Sequence, residues 1–186
     1  MTNAAATPQA SSTTWKIDPA HSAAEFKVRH MMISNVKGQF SGIKGALTLD
    51  EADITKSRVE ATIDAATINT REPQRDADLQ GANFLEVEKF PTLSFVSSHL
   101  TRTGPVELEV TGELTIHGVS RPVVFNVEGP SAPLKDPWGN TRVGLSATTK
   151  INRKDFGLNW NAVLEAGGFL IGDEVTITLE VKLLKA

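Results

Sequence analysis

The sequence contains no cysteine among its 186 residues. This absence excludes disulfide bonds, thiol catalysis and thiolate metal sites, but it does not decide the compartment, since periplasmic proteins can also lack disulfides. An excess of basic residues is missing as well, because the net charge is -3 and the isoelectric point is near 5.8. Nucleic acid is therefore not an expected partner, because its binding depends on clustered Lys and Arg.

Long apolar runs are also absent. No stretch approaches the 18 or so uninterrupted apolar residues of a transmembrane helix, so no transmembrane segment is predicted. Residues 1–14 read MTNAAATPQASSTT, which lacks the basic start and the apolar run of a signal peptide. We expect a disordered tail over 1–14 and one domain over 15–186. The chain as given is predicted to be cytoplasmic, or periplasmic if a leader has been removed.

The short motifs of several enzyme classes do not occur in the sequence. GxxxxGK followed by Ser or Thr and a strand-linked GxGxxG are missing, so nucleotide cofactors have no support. GxSxG is missing too, which removes the serine hydrolase elbow. No histidine pair has HxxxH or HExxH spacing. We therefore predict no catalytic residue, no metal and no cofactor.

What the sequence does contain is short segments in which apolar and polar residues alternate. Val59, Ala61 and Ile63 alternate with charged and hydroxyl residues, and an unusually long alternation occupies 106–117. This period of two is typical of strands with one buried face. Other such segments lie at 24–30, 123–127, 143–151 and 175–183. The pattern predicts an all-β domain of about eight antiparallel strands.

Eight such strands bury their apolar faces either in a sandwich or in a closed barrel. Gly38, Gly42, Gly45 and Gly112 lie in or beside the strands and supply the kinks that tight curvature requires. The inward faces mix Phe with small residues, which leaves internal space. We therefore predict an eight-stranded antiparallel β-barrel. Two segments that end in glycine predict short helices over 74–81 and 161–168.

The histidines allow chemical or structural roles. His21 lies in the segment DPAHS, beside Asp18 and Ser22, but triad members normally come from distant segments, so a structural turn is favoured. His30 lies on the apolar face of a strand, so it is either a core histidine or a contact to a ligand head group. His99 and His117 lie near predicted strand ends, where solvent exposure is expected.

Two polar clusters also stand out, Arg75 with Asp76 and Asn152 with Arg153 and Asp155. At a barrel mouth an arginine could bind a diphosphate through paired hydrogen bonds. The alternative is an Arg to Asp ion pair that pins a helix or a turn.

Six blocks of sequence, spread from Trp15 to Lys185, together resemble the YceI-like family of polyisoprenoid-binding, lipocalin-like barrels. They are WKIDPAHSAAEFKVRHM at 15–31, VKGQFSGIKG at 36–45, INTREPQRDADLQGANFLEVEKFPTLSF at 68–95, GELTIHGVSRPV at 112–123, INRKDFGLNW at 151–160 and IGDEVTITLEV at 171–181. The resemblance implies a lipocalin-like barrel whose apolar tunnel holds an isoprenoid chain, such as a quinone tail or a polyprenyl phosphate. It also implies a homodimer, although no feature of the sequence fixes an interface.

The resemblance further implies that Arg75, Asp76 and Leu79 belong to a short helix at the tunnel. It also implies a loop motif made of Asn152, Arg153, Asp155 and Phe156. Strand parity separately predicts inward side chains, and helical and loop residues are expected to close the tunnel ends. The predicted lumen residues are Phe26, Val28, His30, Phe40, Ile63, Phe95, Leu114, Ile116, Phe125 and Leu145, and the predicted end residues are Phe84, Trp160, Leu164 and Phe169.

The sequence therefore leads to the hypothesis of a carrier that stores or transports an isoprenoid lipid, with the lipid as cargo and no cofactor. Two alternatives remain at this point. One is an enzyme that acts on an isoprenoid or quinone through His30 or through Arg75 and Asp76. The other is an interaction module with a filled core and no ligand.

Overall fold

A computed structural model describes residues 11–186. This part of the chain contains eleven strands and one short α-helix, α1 (Pro73–Gln80). The strands are β1 (Ser12–Ile17), β2 (Ala23–His30), β3 (Ser34–Phe40), β4 (Ile43–Asp50), β5 (Arg58–Asp64), β6 (Thr92–Arg102), β7 (Glu107–Ile116), β8 (Val119–Glu128), β9 (Leu134–Lys135), β10 (Thr141–Asn152) and β11 (Ile171–Lys185).

The strands form one antiparallel sheet that closes on itself through β11. This strand pairs with β10 over almost its whole length, and on its other side with β2 and then with β1. β3 and β4 in turn pair with β2 and β1. β1 and β2 together fill one position in the ring, and β3 and β4 together fill the next. The other six positions are β5, β6, β7, β8, β10 and β11. The predicted eight-stranded antiparallel barrel is confirmed.

The alternation of apolar and polar residues in the sequence corresponds to the inner and outer faces of the barrel wall. In β7, Leu108, Val110 and Leu114 are buried while Glu109 and Glu113 are exposed. Since successive side chains of a strand point to opposite faces, the closed ring turns all the apolar faces toward one interior. The wall around this interior is where the candidate site lies.

A charged network fixes the break between β1 and β2. Asp18 accepts a hydrogen bond from the backbone N–H of Ala20 and so caps a 3-10 turn over Pro19–His21. The Oδ2 atom of Asp18 lies 2.6 Å from Nη1 of Arg142 and 2.8 Å from Nδ1 of His21. Nε of Arg142 also lies 2.7 Å from Oδ2 of Asp136. His21 therefore has the turn role that the sequence favoured.

The helix predicted over 74–81 is confirmed as α1, which Glu72 caps and Pro73 begins. The helix predicted over 161–168 is wrong, because this segment is a turn closed by a bridge between Val163 and Phe169. The Asn161 side chain accepts hydrogen bonds from the N–H groups of Ala162 and Ile171, and such bonds compete with a helix. The glycines that end the segment adopt positive φ angles, which suits a tight turn.

The predicted disordered tail over 1–14 is wrong for its last three residues. β1 begins at Ser12 and pairs with β4 from that residue onward. Residues 1–10 lie outside the described part of the chain, so the rest of this prediction is not tested.

The network around Asp18 makes part of the stability depend on pH. The Arg142 guanidinium, followed by the His21 ring, lowers the pKa of Asp18 from 3.8 to about 2. Because the pKa is lower in the folded state, this contribution to stability is fully present above pH 3.8 and is lost as the pH falls toward about 2. We predict that Asp18→Asn lowers the free energy of unfolding at neutral pH and that the difference from wild type shrinks across this window.

Urea denaturation followed by tryptophan fluorescence measures this difference. The control is Glu109→Gln, which removes an exposed carboxylate on the outer face of β7 and should leave the neutral-pH stability within about 0.5 kcal/mol of wild type. A difference for Asp18→Asn that stays constant down to the lowest pH would contradict the assignment.

Candidate functional site

The barrel encloses a cavity of about 920 Å³. Its walls are the inward side chains of the strands, and its mouth is framed by α1, by the end of β2 and by Trp160 and Leu170. Ligand sites in proteins commonly span about 300 to 1,000 Å³. The interior is therefore large enough for a sizeable molecule and is not a filled core.

Two wall glycines help to keep this space open. Gly38 in β3 lies directly opposite Phe26 in β2, and a Cβ on Gly38 would overlap the Phe26 ring. A Cβ on Gly112 in β7 would likewise overlap the ring of Phe95. Because neither glycine has a side chain, both rings lie close against the neighbouring strand. Side chains at positions 38 and 112 would push the two rings further into the cavity, and their absence leaves that space open.

Helix α1 is held at the mouth through Thr70. The Oδ1 atom of Asp76 accepts hydrogen bonds from the backbone N and from Oγ1 of Thr70, at 2.8 and 2.6 Å. Arg75 donates from Nε to Oγ1 of Thr70 and from Nη2 to its carbonyl, at 2.8 and 2.9 Å. Asn69 and Gln39 exchange two backbone hydrogen bonds that join this segment to β3. Arg75 and Asp76 thus pin the helix through a shared partner.

The charges at the mouth are mixed. Arg29 donates from Nη2 to the carbonyl of Met32 at 3.1 Å, and two of the three nitrogens of Arg75 already serve Thr70. The ionisable residues that line the cavity are Glu25, Glu72, Asp78, Arg29, Arg75, Arg153 and His30. Glu25 and Arg29 share the exposed outer face of β2 with Lys27. The two carboxylates of Glu72 and Asp78 offset the guanidinium groups of Arg75 and Arg153, which are already hydrogen-bonded, so the mouth does not present a concentrated positive charge.

A second, smaller cavity of about 110 Å³ lies deeper in the barrel. Five residues line both cavities and so mark the boundary between them: Ile43, Ala61, Phe95, Phe125 and Leu179. The rings of Phe95 and Phe125 meet edge to face there, with centroids 5.1 Å apart. The lumen therefore has a constriction at these two rings.

The structure brings most of the predicted site residues to the main cavity. Phe84 and Trp160, from two separate loops, meet at its mouth with ring centroids 5.5 Å apart. The predicted residues that line this cavity are Phe26, Val28, His30, Phe40, Ile63, Arg75, Leu79, Phe84, Phe95, Leu114, Ile116, Phe125, Arg153 and Trp160. That each contacts a ligand stays a prediction.

Other predicted residues lie elsewhere. Leu145 lines only the smaller cavity, while Asp76 turns to Thr70. Oδ1 of Asn152 accepts from the backbone N of Lys154 and so caps a 3-10 turn over Arg153–Phe156. Phe156 is only 1% exposed and packs in the core outside the cavity.

Leu164 and Phe169, which were expected to close the tunnel ends, do not line either cavity. Both belong to the turn that replaces the predicted second helix, and Phe169 is 55% exposed with Lys154 over its ring. The error in the secondary structure therefore carries over to these two positions.

Arg153 reaches the cavity wall with its guanidinium already engaged. The residue is 4% exposed. It donates to the carbonyls of Gly172, Leu158 and Trp160 at 2.9, 2.6 and 2.9 Å. Burial lowers the pKa of this guanidinium, while the nearby Asp173 acts in the opposite direction. Arg153 thus ties the loop at 158–160 to the start of β11 and has few donors left for a phosphate.

Some lining residues were missing from the sequence prediction. Three residues of β11 line the cavity: Val175, Ile177 and Leu179. The period of two at these positions predicts a strand, and the same period could also have identified their side chains as inward-facing. Ile68 and Leu158 also line it, but they lie outside the strands, where a period of two carries no information.

The remaining histidines lie away from the cavity lining. His117 packs against Phe90 with ring centroids 4.7 Å apart, and its Nε2 lies 3.3 Å from Glu86. His99 is exposed on β6. Within 11–186, His and acidic side chains form no group of three or more that could hold a metal ion. In the same range, α1 and the 3-10 turns are too short to qualify as membrane-spanning helices.

Comparison with known proteins adds sequence and structural relatives. The sequence model of a family described as "YceI-like domain" matches residues 15–183. A UPF0312 protein of Vibrio cholerae is 37% identical over 139 residues, which cover 75% of this chain and 73% of that protein.

Among solved structures, the YCEI protein of Campylobacter jejuni is similar with a TM-score of 0.71 and 29% identity, over 86% of this chain and 91% of that one. A polyisoprenoid binding domain from Saccharophagus degradans shares the fold with a TM-score of 0.67 at 16% identity, over 94% of this chain and 99% of that one.

The hydrogen bonds of Arg153 predict a structural role for this residue. Lysine keeps the charge but cannot reach three carbonyls in the same fork geometry. We predict that Arg153→Lys lowers the free energy of unfolding by on the order of 3 kcal/mol, because buried carbonyls lose their donors. Chemical denaturation measures the loss. The neighbouring Lys154→Met is the control and should cost much less, since Lys154 is exposed; equal losses would contradict this role.

Proposed function

The chain belongs to the YceI-like domain family, and from that premise we propose that it binds one isoprenoid lipid in the barrel cavity and stores or transports it. The observation that carries the proposal is the cavity of about 920 Å³ whose walls are almost entirely apolar. A relative that shares the fold is a polyisoprenoid binding domain, which supports the same class of ligand here.

The volume suits a long apolar chain. A benzene molecule fills a protein cavity of about 150 Å³, which corresponds to roughly 25 Å³ per carbon. On that scale, 920 Å³ holds roughly 35 carbons, or about seven isoprene units. Burial of one leucine-sized group contributes about 1.5 to 3 kcal/mol, so a few such units exceed the roughly 8 kcal/mol of micromolar binding even after the chain is ordered.

The mouth favours an uncharged head group. A diphosphate would meet the carboxylates of Glu72 and Asp78. The guanidinium of Arg75 is already largely committed to Thr70, and like charges placed together cost several kcal/mol. A quinone ring carries only neutral hydrogen-bond acceptors. We therefore propose a quinone-type isoprenoid in preference to a polyprenyl phosphate.

A carrier role follows from how the polar side chains are used. Arg75 and Asp76, the pair considered for chemistry, both hold α1 to Thr70. His30, the other candidate, lines the cavity near its mouth, where it serves as a hydrogen-bond partner for the head group. The proposal assigns no catalytic residue, and the bound lipid leaves unchanged.

A charge placed in the lumen tests the proposal. We predict that Phe26→Asp weakens binding of a ubiquinone by at least about 100-fold, because an unpaired carboxylate would face the apolar chain. Quenching of tryptophan fluorescence by the added quinone measures the affinity. Lys27→Asp is the matched control, since Lys27 follows in the same strand on the outer face, and it should bind as wild type does. Unchanged binding by a folded Phe26→Asp variant would refute the proposal.

The head-group preference is tested separately. We predict that ubiquinone binds at least about tenfold more tightly than a polyprenyl diphosphate with the same number of isoprene units, because Glu72 and Asp78 repel the diphosphate and the guanidinium of Arg75 is committed to Thr70. The double variant Glu72→Gln with Asp78→Asn should strengthen diphosphate binding and leave ubiquinone binding close to wild type. Tighter diphosphate binding by the wild-type protein would reverse the assignment of the head group while leaving the tail site intact.

A further inference from the structure

Two phenylalanines form the constriction of the lumen at the boundary between the cavities. Phe95 is in β6 and Phe125 is in β8, and their rings lie edge to face. They are 9% and 5% exposed, respectively, and each lines both the main and the smaller cavity. Any chain that entered from the mouth would meet these two rings before it reached the smaller cavity.

The space beyond the rings is suited to hydrocarbon. The smaller cavity holds about 110 Å³ and is lined by buried aliphatic side chains such as Leu47, Leu100 and Val181. At the packing of a benzene in its cavity, this volume corresponds to about one isoprene unit. The rings therefore separate the main cavity from apolar space that a longer chain could use.

The position of the Phe95 ring is set by the wall behind it. The ring lies over the bare backbone of Gly112, and a Cβ there would overlap it. Ile43 and Leu179 line the same boundary from β4 and β11. The ring is thus packed between neighbours and does not hang freely in the lumen.

From this geometry we infer that Phe95 and Phe125 form a floor that limits the length of the chain that the cavity accepts. The inference rests on the proposed function, since it assigns the terminal part of the same lipid site. Removal of one ring would join the two cavities. Their combined space would accept about two further isoprene units, one from the smaller cavity and about one from the vacated ring.

The test uses ubiquinones that differ only in the number of isoprene units, and the readout is the longest chain that binds without loss of affinity. Because leucine fills most of the volume of the ring that it replaces, Phe95→Leu and, independently, Phe125→Leu should move this limit upward by about one unit, the content of the smaller cavity. Leucine keeps the site apolar, so both variants should fold, as circular dichroism and a cooperative melt would verify. Adding Val59→Phe to Phe95→Leu places a ring in the smaller cavity, which Val59 lines, and should return the limit to the wild-type length.

The control is Phe90→Leu, because Phe90 packs on His117 and lines neither cavity, so its length limit should equal that of wild type. If wild type shows a limit and both floor variants keep it, the floor is overturned while the lipid site stands. If the wild-type protein binds no member of the series, the proposed function and the floor fall together.

Discussion

The structure depends on the closure of its sheet through β11. This strand, Ile171–Lys185, pairs with β10 on one side and with β2 and β1 in succession on the other. Among the described strands, this closure leaves only β3 and β9 with a single paired neighbour, and the inward faces of the ring have only the lumen to face. The cavity is a consequence of this closure combined with inward side chains that do not fill the space.

An unfilled apolar interior forgoes contacts that a packed core would make. Local contacts keep the space open: Phe26 and Phe95 lie over glycines, Arg153 ties one loop to the start of β11 through their carbonyls, and Thr70 fixes α1 beside the mouth. These contacts make the walls rigid and leave few free donors at the mouth. Such an interior suits a long, flexible, apolar ligand with a neutral head.

Much of the fold could be predicted from the sequence, because a half-buried strand imposes a period of two. The alternation of Val59, Ala61 and Ile63 corresponds to β5, Arg58–Asp64. The helix expected over 161–168 failed because the Asn161 side chain bonds to nearby N–H groups, a competition that a glycine stop signal does not reveal. The lumen positions in the strands were predictable by parity, whereas Ile68 and Leu158 were not. The partners of Arg153 are backbone carbonyls from other segments, and no pattern of letters identifies them.

The most direct test of the account is native mass spectrometry of the freshly purified protein, followed by organic extraction and identification of what it releases. We predict one lipid per chain, with an isoprenoid tail and an uncharged head group. A protein that carries no lipid and stays empty after incubation with quinones and polyprenyl phosphates would contradict the account, as would a stoichiometric ligand without an isoprenoid chain.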